Sequence, residues 1–279
     1  MKEFYTRSLT AIAYAVVLLF SLFYNQYLFY FVGFICSLIL VFEFIKLITD
    51  YNHKFLSIDS GKSNLILYLT FPLYIFLFLL SKNSTFQLVF LLIIILTNII
   101  LGFSLLKKKL FSFSILKNRF IGHFYLVGSL VIFFTMSNVT NSHNPLIVFS
   151  FLMLIWVSDS AAYVFGVNFG KRPLFKSVSP KKSVEGFLGG IIFSIILSLF
   201  FNKYLNLDFT IIQWLIIGVL TSSLGALGDL VQSQFKREAG VKDSGKFLPG
   251  HGGLYDRMDS IIFAAPFIYL TIKIFIYVS

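Results

Sequence analysis

Between Asp229 and Asp259 the chain gathers five acids and five bases among five glycines: Asp229, Lys236, Arg237, Glu238, Lys242, Asp243, Lys246, Asp256, Arg257 and Asp259. Carboxylate oxygens suit a hard divalent cation, and ammonium and guanidinium groups suit phosphate. The mixture therefore points to metal-assisted chemistry on a polyphosphate. Asp229, Ser233 and Arg237 recur at i, i+4 and i+8, which lines them along one helical face, and Asp256 and Asp259 stand one turn apart. Three converging carboxylates need a cation or basic partners. The spacing alone leaves a metal centre and a salt-bridge cluster built on Arg237 and Arg257 equally open.

A second charged segment, Ser179-Pro180-Lys181-Lys182-Ser183-Val184-Glu185-Gly186, has the makings of an anion site. Ser179 is read as a helix N-cap with Pro180 in the first helical position, so that free backbone N–H groups lie beside Lys181 and Lys182. An ordinary capped helix flanked by topology lysines accounts for the same residues. Asp159 stands deep within an apolar run. A charge there calls for a partner or a polar cavity, so it is expected to face the site from inside the bundle.

The elements that must hold these groups are membrane helices. Of 279 residues 57% are hydrophobic, 36 are Phe and only 13% are charged, which excludes an ordinary soluble domain. Nine apolar spans of bilayer-crossing length are expected near 8–24, 28–48, 65–81, 86–106, 120–136, 145–166, 186–202, 209–230 and 259–277. Helices satisfy their own backbone in lipid, so the fold class is all-α and polytopic. The polar lead before the first span has no small-x-small cleavage site after it, so that span is read as an uncleaved anchor. The single Cys36 excludes an intramolecular disulfide.

The net charge of +11 is a topology signal rather than a nucleic-acid footprint. Distributed over the segments between spans, 20 of the 23 Lys and Arg fall on one side, which predicts a cytoplasmic N-terminus. The run Lys107-Lys108-Lys109 fits an orientation anchor or a headgroup contact. Residues 1–140 are read as N-terminal transmembrane helices. Residues 141–279 are read as a C-terminal catalytic region with cytoplasmic loops 167–185 and 231–258. Glu43 is the only acid inside a span of the first half, with Lys46 one turn later, and it suits an interfacial pair at least as well as a functional role. His53, His123 and His143 are too scattered for a metal set.

The string from Ser233 through Lys236, Arg237, Lys242, Asp243, Gly245, Leu248, Pro249, His251, Gly252, Gly253, Asp256 and Arg257 to Asp259 resembles the signature of the phosphatidate cytidylyltransferases, or CDP-diacylglycerol synthases, across all 27 positions. The likeness continues more loosely through Trp156 to Gly166 and Ser179 to Gly186, where Ser183 and Val184 stand for the family's frequent Thr and Trp. The first half resembles the family in hydropathy alone and contributes no site residue.

The resemblance implies attack of a phosphatidate phosphate on the α-phosphorus of CTP at the cytoplasmic membrane face, as a step of phospholipid biosynthesis. It implies Asp229, Asp256 and Asp259 as ligands of Mg²⁺, with a second cation plausible. Lys236 and Arg237 would neutralise phosphate, and Ser233 would donate a hydrogen bond or reach the metal. Asp159, Ser179, Lys181, Lys182, Ser183, Glu185, Lys242, Asp243, His251 and Arg257 are the expected substrate contacts, Arg257 alternatively bracing the carboxylates. The expected partners are CTP, phosphatidate, membrane lipids and a second copy of the chain, with no nucleic acid. The expected location is a bacterial inner membrane. A transporter, and a CTP-dependent kinase or cytidylyltransferase acting on another lipid phosphate or polyprenol, are the competing readings.

Overall fold

In a computed structural model, residues 2–55, 74, 84–106, 120–140, 142–205, 207–245, 247–248 and 252–278 are described. Two helices, α1 (Lys2–Tyr24) and α2 (Gln26–Phe55), open the chain. Next come α3 (Ser84–Leu106) and α4, which spans Ile121–Asn138 and starts as a π-helix over Ile121–Gly128. The second half holds α5 (Pro145–Phe169), a hairpin of β1 (Pro173–Phe175) and β2 (Ser179–Ser183), α6 (Val184–Tyr204), α7 (Ile211–Ala239) and α8 (Tyr255–Val278).

Among the described residues seven helices, α2 to α8, are long and apolar enough to cross a membrane, and α1 carries a shorter apolar stretch, Leu9–Tyr24. Eight of the nine expected spans thus coincide with helices. The remaining one, near 65–81, lies outside the described residues except for Tyr74, and Lys107, Lys108 and Lys109 lie outside them too. Among the described residues the antiparallel β hairpin is the one regular departure from an all-helical chain.

Sequence and packing meet most clearly in the second half, where α5 packs on α6, α6 on α7 and α7 on α8. Small residues let these backbones approach. A methyl group at Gly186 would stand 2.6 Å from the carbonyl oxygen of Ala162, and one at Gly228 would stand 2.6 Å from that of Asp259. Gly228 therefore lets α7 pass tightly over α8 at Asp259, one residue before Asp229. Layered against these helices, α4 is almost wholly buried, with Tyr125, Leu126, Leu130 and Phe133 at the centre of the apolar core.

Two boundaries differ from expectation. Helix α7 runs on to Ala239, so the long loop shrinks from 231–258 to 240–254 and Ser233, Lys236 and Arg237 are helical. Its apolar face simply continues, with Val231 and Phe235 buried, until Gly240 ends it with φ 78°. The expected N-cap at Ser179 is also corrected. Ser179 to Ser183 form a strand paired with Pro173 to Phe175, and Ser183 is the cap, its Oγ accepting from the Gly186 N–H at 3.1 Å.

Candidate active site

The charged residues of the two halves of the motif converge on one cavity of about 1110 Å³ between α1, α5, β2, the start of α6, α7 and α8. Its polar wall contains Asp159 from α5, Lys181 and Lys182 from β2, Asp229 and Lys236 from α7, and Asp256, Arg257 and Asp259 from α8. Its apolar wall contains Ile12 and Ala15 of α1, Trp156, Tyr163 and Val167 of α5, and Phe187 of α6. Ligand cavities of proteins commonly hold roughly 300–1,000 Å³, so this one has room for a nucleotide together with a lipid headgroup.

Asp229 carries two partners. Lys182 forms an ion pair with its Oδ2, and Ser233 donates to its Oδ1 at 3.2 Å. The hairpin is what delivers Lys182. Glu185 accepts from the backbone N–H groups of Lys171 and Arg172 at 3.0 and 3.2 Å and from Arg172 Nε at 3.0 Å, tying the hairpin's foot to the first turn of α6. Glu185, expected as a substrate contact, braces the hairpin through these bonds. Ser233 likewise backs Asp229 from a buried position rather than lining the cavity.

Asp256 is more heavily engaged. Its Oδ1 accepts from Gln232 Nε2 at 2.6 Å and Lys236 Nζ at 2.7 Å, and its Oδ2 from the Ser244 N–H at 2.9 Å, Ser244 Oγ at 3.0 Å and the Gly253 N–H at 2.9 Å. Five donors leave a carboxylate little basis for holding a cation as well. Asp256, expected as a metal ligand, is here held by protein donors and in turn holds Lys236. Asp159, Asp229 and Asp259 instead form the acidic trio, each within electrostatic reach of the others and of Lys182. Asp259 is only 8% exposed.

Among the described residues no three His, Cys, Asp or Glu side chains stand close enough to hold one ion. The donor chemistry still fits Mg²⁺. That ion is commonly held by one or two carboxylates, with water and substrate phosphate completing its shell. Asp159, Asp229 and Asp259 supply such oxygens, with the Lys182–Asp229 contact the ion pair found among them.

Other expected contacts are not gathered here. Arg237 is exposed in the last turn of α7, and Ser179, Lys242 and Asp243 also lie away from the cavity wall. Lys181, Ser183 and Arg257 do line it. His251 lies outside the described residues. The first half contributes more than its hydropathy implied. Thr10 and Tyr14 of α1 reach the cavity, and the carboxylate of Glu43 goes to Ser244, Leu254 and Tyr255 rather than into an ion pair with Lys46. A lone acid in an apolar span was the available signal for Glu43. Nothing in the composition of α1 marks Thr10 or Tyr14.

Three curated relatives are similar to part of this chain. The phosphatidate cytidylyltransferase of Staphylococcus saprophyticus is 42% identical over 175 residues, covering 60% of this chain and 63% of that protein. The Bacillus subtilis protein of the same name is 37% identical over 177 residues, covering 63% and 65%. The one from Staphylococcus aureus strain COL is 41% identical over 170 residues, covering 60% and 63%. The chain thus spans a little under two thirds of the length of the curated relatives it matches. The model of the cytidylyltransferase family matches residues 5–275, nearly end to end and across every element that lines the cavity, so the chain belongs to the cytidylyltransferase family.

Proposed function

We propose that the chain transfers the cytidylyl group of CTP to phosphatidate, releasing pyrophosphate and forming CDP-diacylglycerol. The observation that carries this reading is one cavity with an acidic trio, a set of lysines and an apolar wall supplied by α1, α5 and α6. An oxygen of the lipid phosphate attacks the α-phosphorus, a new P–O bond forms, and the bond between the α-phosphorus and the bridging oxygen breaks. The phosphomonoester is already largely dianionic at pH 7, so no dedicated base is required.

What the reaction requires is in-line alignment of two anions and neutralisation of their charge. Lys236, held by Asp256, and Lys182, held by Asp229, supply fixed positive charge at the cavity wall. Lys181 and Arg257 add two more basic groups. Mg²⁺ held by one or two of the carboxylates Asp159, Asp229 and Asp259, with water and triphosphate oxygens completing its shell, would neutralise triphosphate charge and polarise the α-phosphorus. The apolar wall of Ile12, Ala15, Trp156 and Phe187 suits the diacyl part of the lipid.

The same reading includes a cytoplasmic N-terminus, a bacterial inner membrane and a homodimer. The test uses purified full chain, Mg²⁺ and α-labelled CTP with phosphatidate, a polyprenyl phosphate or diacylglycerol as the lipid. The reading expects lipid-soluble label with phosphatidate at far greater kcat/KM than with the others. Equal or greater labelling of another lipid removes phosphatidate as the substrate.

A further inference from the structure

Glu43 sits in the middle of α2, 2% exposed, more than 200 residues from the signature loop in sequence. Its Oε1 accepts from the Leu254 N–H at 2.9 Å, and its Oε2 from the Tyr255 N–H at 2.9 Å and from Ser244 Oγ at 3.0 Å. Leu254 and Tyr255 open α8, whose first N–H groups have no acceptor within their own helix. A side chain just ahead of the helix normally supplies that acceptor. Here it comes from another membrane helix, and it is a carboxylate, which the positive end of the helix favours.

The loop is shaped around this group. A methyl at Gly245 would stand 2.5 Å from Glu43 Oε1, and one at Gly253 would be closer still to Oε2. From Glu43 the contacts continue toward the cavity. Ser244 Oγ lies 3.0 Å from both Glu43 Oε2 and Asp256 Oδ2, so one hydroxyl stands between two carboxylates and can donate its single proton to either. Asp256 in turn holds Lys236 at 2.7 Å, and Lys236 lines the cavity. The neighbouring Phe44 packs edge-on against Phe235 and Tyr255, with ring centroids 5.8 and 6.4 Å apart, which fixes α2 against α7 and α8 at this height.

We propose that Glu43 is a positioning residue for the cytidylyl-transfer site: it clamps Ser244 and the start of α8 at Leu254 and Tyr255 and, through Ser244 and Asp256, sets Lys236 in the cavity. This rests on the function proposed above. A purely space-filling role would need neither a charge at this depth nor three donors aimed at it. An unpaired carboxylate in an apolar helix is costly, and the loop supplies its compensation.

The test compares full-length wild type, Glu43→Gln, Ser244→Ala and the double variant in detergent micelles. Two readouts are taken, amide hydrogen exchange and the CTP dependence of CDP-lipid formation. Gln has nearly the shape of Glu but carries no charge. Losing the charge-assisted bonds is expected to speed exchange at Gly253, Leu254 and Tyr255 at least about tenfold while the middle of α7 stays protected. The half-saturating CTP concentration is expected to rise by a similar factor. Ser244→Ala should raise it in the same direction, and the double variant should lose no more than Glu43→Gln alone.

Unchanged loop amides with wild-type CTP saturation in Glu43→Gln overturn the proposal, as does a uniform speeding of exchange across all helices. Should Glu43→Gln fail to accumulate, Ser244→Ala decides by the same two readouts, and wild-type values overturn the clamp. Wild type that makes no CDP-lipid removes the proposed function instead, and the amide result still decides whether Glu43 holds the loop.

Discussion

Gly228→Ala probes the geometry of the site without touching any charged group. The added methyl would stand 2.6 Å from the Asp259 carbonyl oxygen and 2.7 Å from Phe263 Cβ, both close to the backbone of α8 and unable to swing aside. Reaching an ordinary contact distance of 3.4 Å requires the α7–α8 crossing to open by about 0.8 Å. Overpacking of this kind costs about 1–3 kcal/mol. Alanine's better helix propensity, about 1 kcal/mol over glycine, offsets part of it. The protein should therefore still fold in the membrane, and the damage should appear in turnover. A displacement near 1 Å of reacting groups can cost on the order of 10²-fold. CDP-lipid formation per folded molecule, with folding checked by monodispersity in detergent, should fall by about that factor. Activity within about threefold of wild type would refute the claim that close passage at Gly228 sets the spacing of Asp229 and Asp259.

Further substitutions separate the roles assigned to neighbouring residues. Lys236→Ala should lower kcat/KM at least about 10²-fold, as loss of a preorganised charge does, whereas Arg237→Ala on the exposed turn should stay within about threefold. Equal losses would return Arg237 to the site. Asp259→Asn should abolish turnover while the protein remains folded in the membrane, and retained activity would remove Asp259 from the acidic trio. Chelation of divalent cations should stop the reaction reversibly, with recovery on adding Mg²⁺, and turnover that persists in excess chelator would rule out the metal. Ser183→Ala should lower the unfolding free energy by about 1 kcal/mol through loss of the α6 cap, read as a fall in thermal midpoint. An unchanged midpoint would mean the cap contributes nothing.

Local chemistry was legible in the sequence where side chains answer to their own neighbours. The apolar runs announced the helices, and Asp159 declared a polar cavity by standing alone in lipid. Boundaries were harder, because they depend on competition. Pro180 beside Ser179 satisfies the local rules for a helix start, yet pairing with Pro173 to Phe175 holds Ser179 to Ser183 extended and passes the cap to Ser183. Acidic residues in the signature look alike in sequence, but they separate once their donors are visible. Asp229 and Asp256 both line the cavity, but Asp256 is surrounded by five donors while Asp229 is met by Lys182 and Ser233. Glu43 illustrates what spacing cannot convey. Its partners lie more than 200 residues away, and the fold alone brings them to it.

The most direct test of the account follows both ends of the triphosphate in one reaction. The purified chain is incubated with phosphatidate, Mg²⁺ and CTP labelled on the α- or the γ-phosphorus, and the lipid and aqueous phases are counted separately. Cytidylyl transfer predicts the α-label in the lipid and the γ-label in aqueous pyrophosphate, in equal amounts. Label from the γ-phosphorus in the lipid would mean phosphoryl transfer to the lipid, and no lipid label from either position would contradict the account.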